Sequence, residues 1–348
     1  MRIVVNDIAA SMGGAMSILR DFYACVAESD KENQWVFLLN DQYFEETDNV
    51  KIIALPQVKQ SRLRKLWFDF VSGRRLVNEL RPDVYFSLQN TVTFGVRAPQ
   101  VVYIHQPVPF QPTKKFSFFK KTERSMAVIQ NLIGPIIKLS AKKCDRIIVQ
   151  TQWMKEAVHR LCRVPLDKIR TNLPAVNQMF AEKAETEFDQ TAFFYPTSGA
   201  IYKNNDCVFQ ASQMLDSKGV AHAVTLTLPQ EESCGSVACV GRIPFEEVMS
   251  RYQRATLLFP SYIETYGYPM AEARMVGTIA LAADTPFARE VLDGYENAYF
   301  FDPFKPEELA YLMEQVISGK LTKKEITQSM QNEAPGWEQV IQWVLDTK

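Results

Sequence analysis

Short apolar runs recur along the chain, separated by longer mixed stretches, and this alternation sets the expected architecture. In the first half, Arg2–Asn6, Trp35–Leu39, Lys51–Leu55, Val84–Leu88, Val101–His105 and Arg146–Thr151 read as strands. They are short and rich in β-branched or aromatic residues. In the second half the same reading falls on Ala192–Thr197, Ala223–Leu228, Ala238–Val240, Ala255–Pro260 and Thr278–Ala283. The intervening stretches 15–27, 59–80, 152–161, one ending near Leu215 and one opening at Pro306 read as helices. Such strand–helix alternation predicts an α/β fold of doubly wound sheets.

A length of 348 residues exceeds one ordinary core and predicts two domains. The composition, 47% hydrophobic and 23% charged, is that of a soluble globular protein. No uncharged apolar run is long enough to span a bilayer. The start, MRIVVNDIAASMGG, reads as a strand entering a loop and not as a signal peptide. Six cysteines show no metal-type spacing, and with three histidines in the chain they read as structural thiols of a reducing cytoplasm. The net charge of −1 hides an asymmetry: residues 1–172 hold 26 Lys+Arg against 16 Asp+Glu, and the remainder 13 against 24. A basic N-terminal half suits an anionic partner.

The most informative stretch is 259–304, FPSYIETYGYPMAEARMVGTIALAADTPFAREVLDGYENAYFFDPF. A buried-type strand runs into the turn Ser261–Tyr268, and Pro269 then opens a helix that Gly277 closes. Glu264 lies in the loop and Glu272 in the first helical turn. A helix start favours an anion, whereas carboxylates beside it favour hydroxyls. A nucleoside diphosphate sugar meets both demands, although the same two acids could equally cap or solvate an ordinary loop.

The residues PSYIETYGYPMAEA, with Pro260, Ser261, Glu264, Gly267, Pro269, Glu272 and Ala273, resemble the paired-glutamate segment of the retaining GT-B glycosyltransferases of glycosyltransferase family 4. Thr265 and Tyr266 depart from that pattern, and Asp284, Pro286, Arg289, Glu290 and Asp302-Pro303 continue it. The resemblance implies two Rossmann-like domains facing an interdomain cleft. The N-terminal, acceptor-side domain is expected over 1–173 and the nucleotide-sugar domain over 174–335. A terminal helix, 336–348, is expected to cross back to the first domain.

The resemblance also implies roles. Lys203, in SGAIYKNN, matches a lysine that grips the donor diphosphate, while Ser198 stands where the family carries an arginine; Arg242 or Arg274 could compensate. Amides around Thr265, Tyr266, Gly267 and Tyr268 stabilise the leaving group, Glu264 contacts sugar hydroxyls and Glu272 the ribose. Gly13 and Gly14 form a donor- or acceptor-facing loop, and His105, at a strand end, touches the donor sugar. Lys203, Glu264 and His105 form the catalytic set. No cofactor beyond the nucleotide sugar as co-substrate and no metal are expected, and no D-x-D metal signature occurs.

The expected activity is transfer of a hexose, with retention, to a lipid-linked glycan in bacterial capsule, O-antigen or exopolysaccharide assembly. A non-catalytic nucleotide-binding member, or a nucleotide-sugar hydrolase or epimerase on the same fold, are the alternatives. The basic and aromatic segments 59–80 and 113–143 fit the surface of an anionic membrane, giving a cytoplasmic, peripheral protein. No nucleic-acid motif is present.

Overall fold

The computed structural model describes residues 1–11, 14–181, 187–325 and 336–347. They form two compact units, Met1–Pro174 with Glu333–Lys348, and Ala175–Asn332. Each is built on one parallel sheet. The first holds β1 (Arg2–Asn6), β2 (Gln34–Leu39), β3 (Val50–Ala54), β4 (Val84–Ser87), β5 (Gln100–Ile104), β6 (Arg146–Val149) and β7 (Ile169–Thr171). Their order is β3-β2-β1-β4-β5-β6-β7. The second holds β8 (Ala192–Tyr195), β9 (Ala223–Leu226), β10 (Val237–Cys239), β11 (Thr256–Phe259), β12 (Ala280–Ala283) and β13 (Ala298–Phe301), ordered β10-β9-β8-β11-β12-β13. Helices joining parallel strands cover both faces, so central strands such as β4, β11 and β12 are buried throughout and read as largely apolar runs.

In each sheet the strand order reverses at one place: between β1 and β4 in the first, between β8 and β11 in the second. Outside the carboxyl ends of strands flanking such a reversal, the two connecting loops diverge and leave a crevice.

Phe22, on helix Gly14–Ser29, is the hub of the first core. Its ring packs edge-on against Trp35 at 5.8 Å, Phe86 at 5.3 Å and Trp337 at 5.2 Å. Trp337 begins the terminal helix Trp337–Leu345, whose Val340, Ile341 and Val344 are buried in this same core. Arg146 fastens the end of that helix. Its guanidinium donates to the carbonyls of Trp343 and Asp346, both at 2.7 Å, and lies 4.0 Å from the Trp343 ring centroid. A cation at helix carbonyls and over an indole face is favoured on both counts.

Three elements differ from the sequence reading. A seventh strand, Ile169–Thr171, was not anticipated after Arg146–Val149 and pairs beside it as β7. Ala298–Phe301 adds an edge strand that was not anticipated. The expected helix over 59–80 runs as Arg62–Trp67, a π-helical turn Phe68–Ser72 and Gly73–Glu79 in succession, with Pro56–Lys59 forming a separate turn before it. The π turn places Asp69, fully buried, against Lys65 Nζ at 2.6 Å and Thr91 Oγ1 at 3.0 Å.

Candidate functional site

The β8–β11 reversal of the second sheet brings together two loops far apart in sequence. After β8 the chain makes a short 3₁₀ turn, Ile201–Lys203, and then Asn204 takes a left-handed conformation with φ 58°. Asparagine tolerates that region better than most residues. Asn204 Nδ2 donates to the Pro303 carbonyl at 2.6 Å and the Pro260 carbonyl at 3.3 Å, tying this loop to those after β13 and β11. The Tyr262 amide donates to the Tyr202 carbonyl at 3.1 Å, and Tyr195 Oη to the Lys203 carbonyl at 2.9 Å. Both loops are therefore fixed to each other and to the sheet.

On this frame Lys203 Nζ lies 2.5 Å from Glu264 Oε1, and each side chain is 17% exposed. Ser261 Oγ is 3.0 Å from the same carboxylate oxygen and 3.1 Å from the Tyr202 carbonyl. The ammonium also sits over the faces of Tyr202 and Phe259, at 5.8 and 6.0 Å from their centroids. The result is a partly shielded cation beside a carboxylate at the mouth of the crevice. Such a pair can divide its charges between an anion and a set of hydroxyls.

Gly267, with φ 91°, turns the chain into helix Tyr268–Val276, and no side chain caps that helix start. A Cβ at Gly267 would stand 2.6 Å from Met270 Cε, the free end of a flexible side chain, and 3.3 Å from Phe259 Cζ, so it is the left-handed conformation that demands glycine. Pro269 occupies the first turn and Gly277, φ 82°, ends the helix. Tyr266 is buried and packs edge-on to the half-exposed Tyr268 at 5.5 Å. Thr265 lies between Glu264 and this pair.

Glu272 stands one position further into the helix than expected, as its fifth residue, because the helix begins at Tyr268 and not at Pro269. Tyr252 Oη, fully buried, donates to Glu272 Oε2 at 2.8 Å. Burial raises the Glu272 carboxyl above the usual carboxylate range, and the Tyr252 hydrogen bond opposes that rise. The Tyr252 ring is locked between Phe180, at 5.8 Å, and Phe194, at 5.5 Å.

Ser198 is exposed, and its carbonyl accepts from Asn205 Nδ2 at 2.8 Å. Arg242 is exposed beyond the edge strand β10, with β9 and β8 between it and β11. Arg274 does not supply the missing cation: its guanidinium donates to the carbonyls of Val291 at 2.5 Å and Asp293 at 2.7 Å. Gly14 begins the first helix with open space where a Cβ would stand, while Gly13 lies outside the described residues.

His105 belongs to the first unit, just past β5. Asn90 Oδ1 accepts from the His105 and Gln106 amides at 2.8 and 2.9 Å, and Asn90 Nδ2 contacts His105 Nε2 at 3.3 Å. Burial lowers the imidazole pKa to about 4. Asp7, immediately after β1, is buried and pushed up to about 7 by desolvation, against the pull of Lys65, the Ala10 amide and Lys59. Tyr252, Asn90 and Asp7 were not singled out from sequence. Asp7 alone leaves a trace there, as an acid directly after a buried strand.

Among the described residues no group of three His, Cys, Asp or Glu is placed to hold a metal ion, and no helix is long and apolar enough to cross a membrane.

Two parallel Rossmann-like sheets, one in each unit, are the fold of the GT-B glycosyltransferases. The chain belongs to that family, matching the model for Glycosyltransferase Family 4 over residues 20–178 and that for Glycosyl transferases group 1 over 230–335. It is 23% identical over 268 residues to the O-antigen chain mannosyltransferase RfbU of Salmonella typhimurium, covering 72% of each chain. Its fold is similar to that of Anabaena HepE in complex with UDP-glucose, with a TM-score of 0.62 at 13% identity over 100% of this chain and 96% of that one. WaaG, a glycosyltransferase involved in lipopolysaccharide biosynthesis, matches with a TM-score of 0.65 at 12% identity over 99% of both chains.

Proposed function

We propose that this glycosyltransferase moves a hexose from a nucleoside diphosphate sugar to a hydroxyl of a lipid-linked glycan, with retention and without a metal, in bacterial surface polysaccharide assembly. The observation that carries the reading is the Lys203–Glu264 pair at the β8–β11 crevice, beside the glycine-led helix start. The O-antigen and lipopolysaccharide relatives support the pathway class, and the HepE complexes with UDP and UDP-glucose support the donor class.

On donor binding, Lys203 turns from Glu264 to the diphosphate, Glu264 takes sugar hydroxyls, and Glu272 takes the ribose. The bond from the anomeric carbon to the phosphate oxygen breaks, and a bond to the acceptor oxygen forms on the same face. The acceptor proton passes to the departing phosphate, so no separate base is required. Charge left on the diphosphate is met by Lys203 and the amides around Thr265–Tyr268. The exposed Ser198 adds at most a neutral hydrogen bond, so Lys203 carries most of this stabilisation.

On this reading the first unit rests on an anionic membrane. Leu63 (77% exposed), Trp67 (61%) and Phe119 (94%) stand among Arg64, Arg74, Arg75, Lys120 and Lys121. Apolar side chains interleaved with cations suit a lipid headgroup boundary, each cation adding about 1 kcal/mol.

Thermal-shift screening against UDP, GDP, ADP and dTDP and their hexoses tests the donor, and NMR of the product's anomeric proton tests retention. No response of folded protein to any of these nucleotides sinks the transferase reading. Flotation with phosphatidylglycerol but not phosphatidylcholine vesicles tests the membrane contact.

A further inference from the structure

The environment of His105 specifies more than a position. Asn90 sits in a left-handed conformation, φ 70°, between β4 and β5, so its side chain faces back over the end of β5. Its Oδ1 is engaged by two backbone amides, His105 N and Gln106 N. An amide oxygen accepting from two N–H groups fixes which end of the side chain is the NH₂, and that NH₂ is the group 3.3 Å from His105 Nε2. A donor facing Nε2 requires a lone pair on that nitrogen. In the neutral ring the proton then resides on Nδ1. His105 Nδ1 is shielded from solvent and has no hydrogen-bond partner among the described residues. A buried N–H without an acceptor costs about 1–3 kcal/mol, which marks the position as one where a ligand completes the bond.

We infer that Asn90 is a positioning residue for His105: it holds the imidazole protonated on Nδ1, so that this N–H is offered to an uncharged acceptor, a hydroxyl oxygen of the bound sugar. The ligand part of this inference rests on the proposed transferase function and on the donor-sugar contact that the family resemblance implies for His105; the proton assignment does not. A neutral donor discriminates as well. It rewards a hydroxyl, and gives no ion pair to a carboxylate or phosphate.

With three histidines in the chain, long-range nitrogen–proton NMR reads each ring directly. At about pH 8 the wild-type protein is expected to show His105 as the Nδ1–H form. Asn90→Asp retains the left-handed tolerance and an acceptor for both amides, but turns an oxygen toward Nε2, so the proton is expected on Nε2. Transfer should fall about tenfold or more in Asn90→Asp, as in His105→Ala. A wild-type ring protonated on Nε2 overturns the inference without any variant, as does an unchanged ring in Asn90→Asp. Full transfer by His105→Ala, with the proton assignment intact, refutes instead the donor-sugar role and the ligand claim built on it.

Discussion

Lys203 Nζ and Glu264 Oε1, 61 positions apart in sequence, meet at 2.5 Å because β8 and β11 are neighbours in the sheet. Each neutralises the other while no donor is present. A diphosphate must therefore compete with Glu264 for the ammonium. Glu264→Gln should bind UDP or its matching diphosphate severalfold more tightly while losing affinity for the nucleotide sugar. Lys203→Ala should lower kcat by about 100- to 1000-fold. Titration calorimetry with the diphosphate and its sugar reads the first split; a Glu264→Gln variant that loses both affinities equally contradicts it.

Tyr252→Phe keeps the ring between Phe180 and Phe194 and removes only the hydroxyl bonded to Glu272. The hydrogen bond lowers the Glu272 carboxyl pKa, so its loss moves that pKa higher still. Nucleotide binding that needs the carboxylate should then fail at a higher pH than in the wild type. A pH series of binding constants checks this, and an unshifted profile separates Tyr252 from the ribose contact.

Asp7 gives the protein a pH dependence of its own. Its carboxyl is raised from 3.8 to about 7 by burial, so between those values the folded state holds a proton that the unfolded state has released. Stability from this group is complete below about pH 4 and is lost as pH rises toward 7. His105, depressed to about 4 from 6.5, acts oppositely: stability falls as pH drops from 6.5 toward 4. The difference between Asp7→Asn and wild type isolates the first effect. Each tenfold change in proton affinity on folding is worth about 1.36 kcal/mol, so at about pH 8 the variant should be more stable by roughly a few kcal/mol. Near pH 4 the two should be nearly equal. Denaturant melts at both values measure it.

Gly267→Ala should destabilise the second unit by about 1–2 kcal/mol from the left-handed backbone alone. The added methyl also displaces Met270 Cε and crowds the Phe259 ring beside the helix start, so donor affinity should fall along with the melting temperature. A variant with normal melting and normal affinity contradicts the close packing at this turn.

The α/β architecture was legible because strands buried on both faces spell largely apolar runs, as VYFS in β4 and TLLF in β11 do. β7 was not, because in the edge strand Ile169–Thr171 only Ile169 is buried and the neighbours are charged. Gly277 announced its turn through backbone chemistry, which is local. The Tyr252–Glu272 and Asn90–His105 contacts depend on which strands lie side by side, and no local pattern records that. Arg274 illustrates the same limit: its charge was visible, but not the two carbonyls toward which it points.

The terminal helix has a consequence for how the chain is made. Val340, Ile341 and Val344 complete a core whose other buried members all lie before residue 149. During synthesis from the N-terminus the first unit waits, with that face of its core uncovered, while the whole of Ala175–Asn332 is translated. The second unit can close upon itself as soon as it emerges. Order of emergence and order of completion are thus reversed, and the core that is begun first is the one that is finished last.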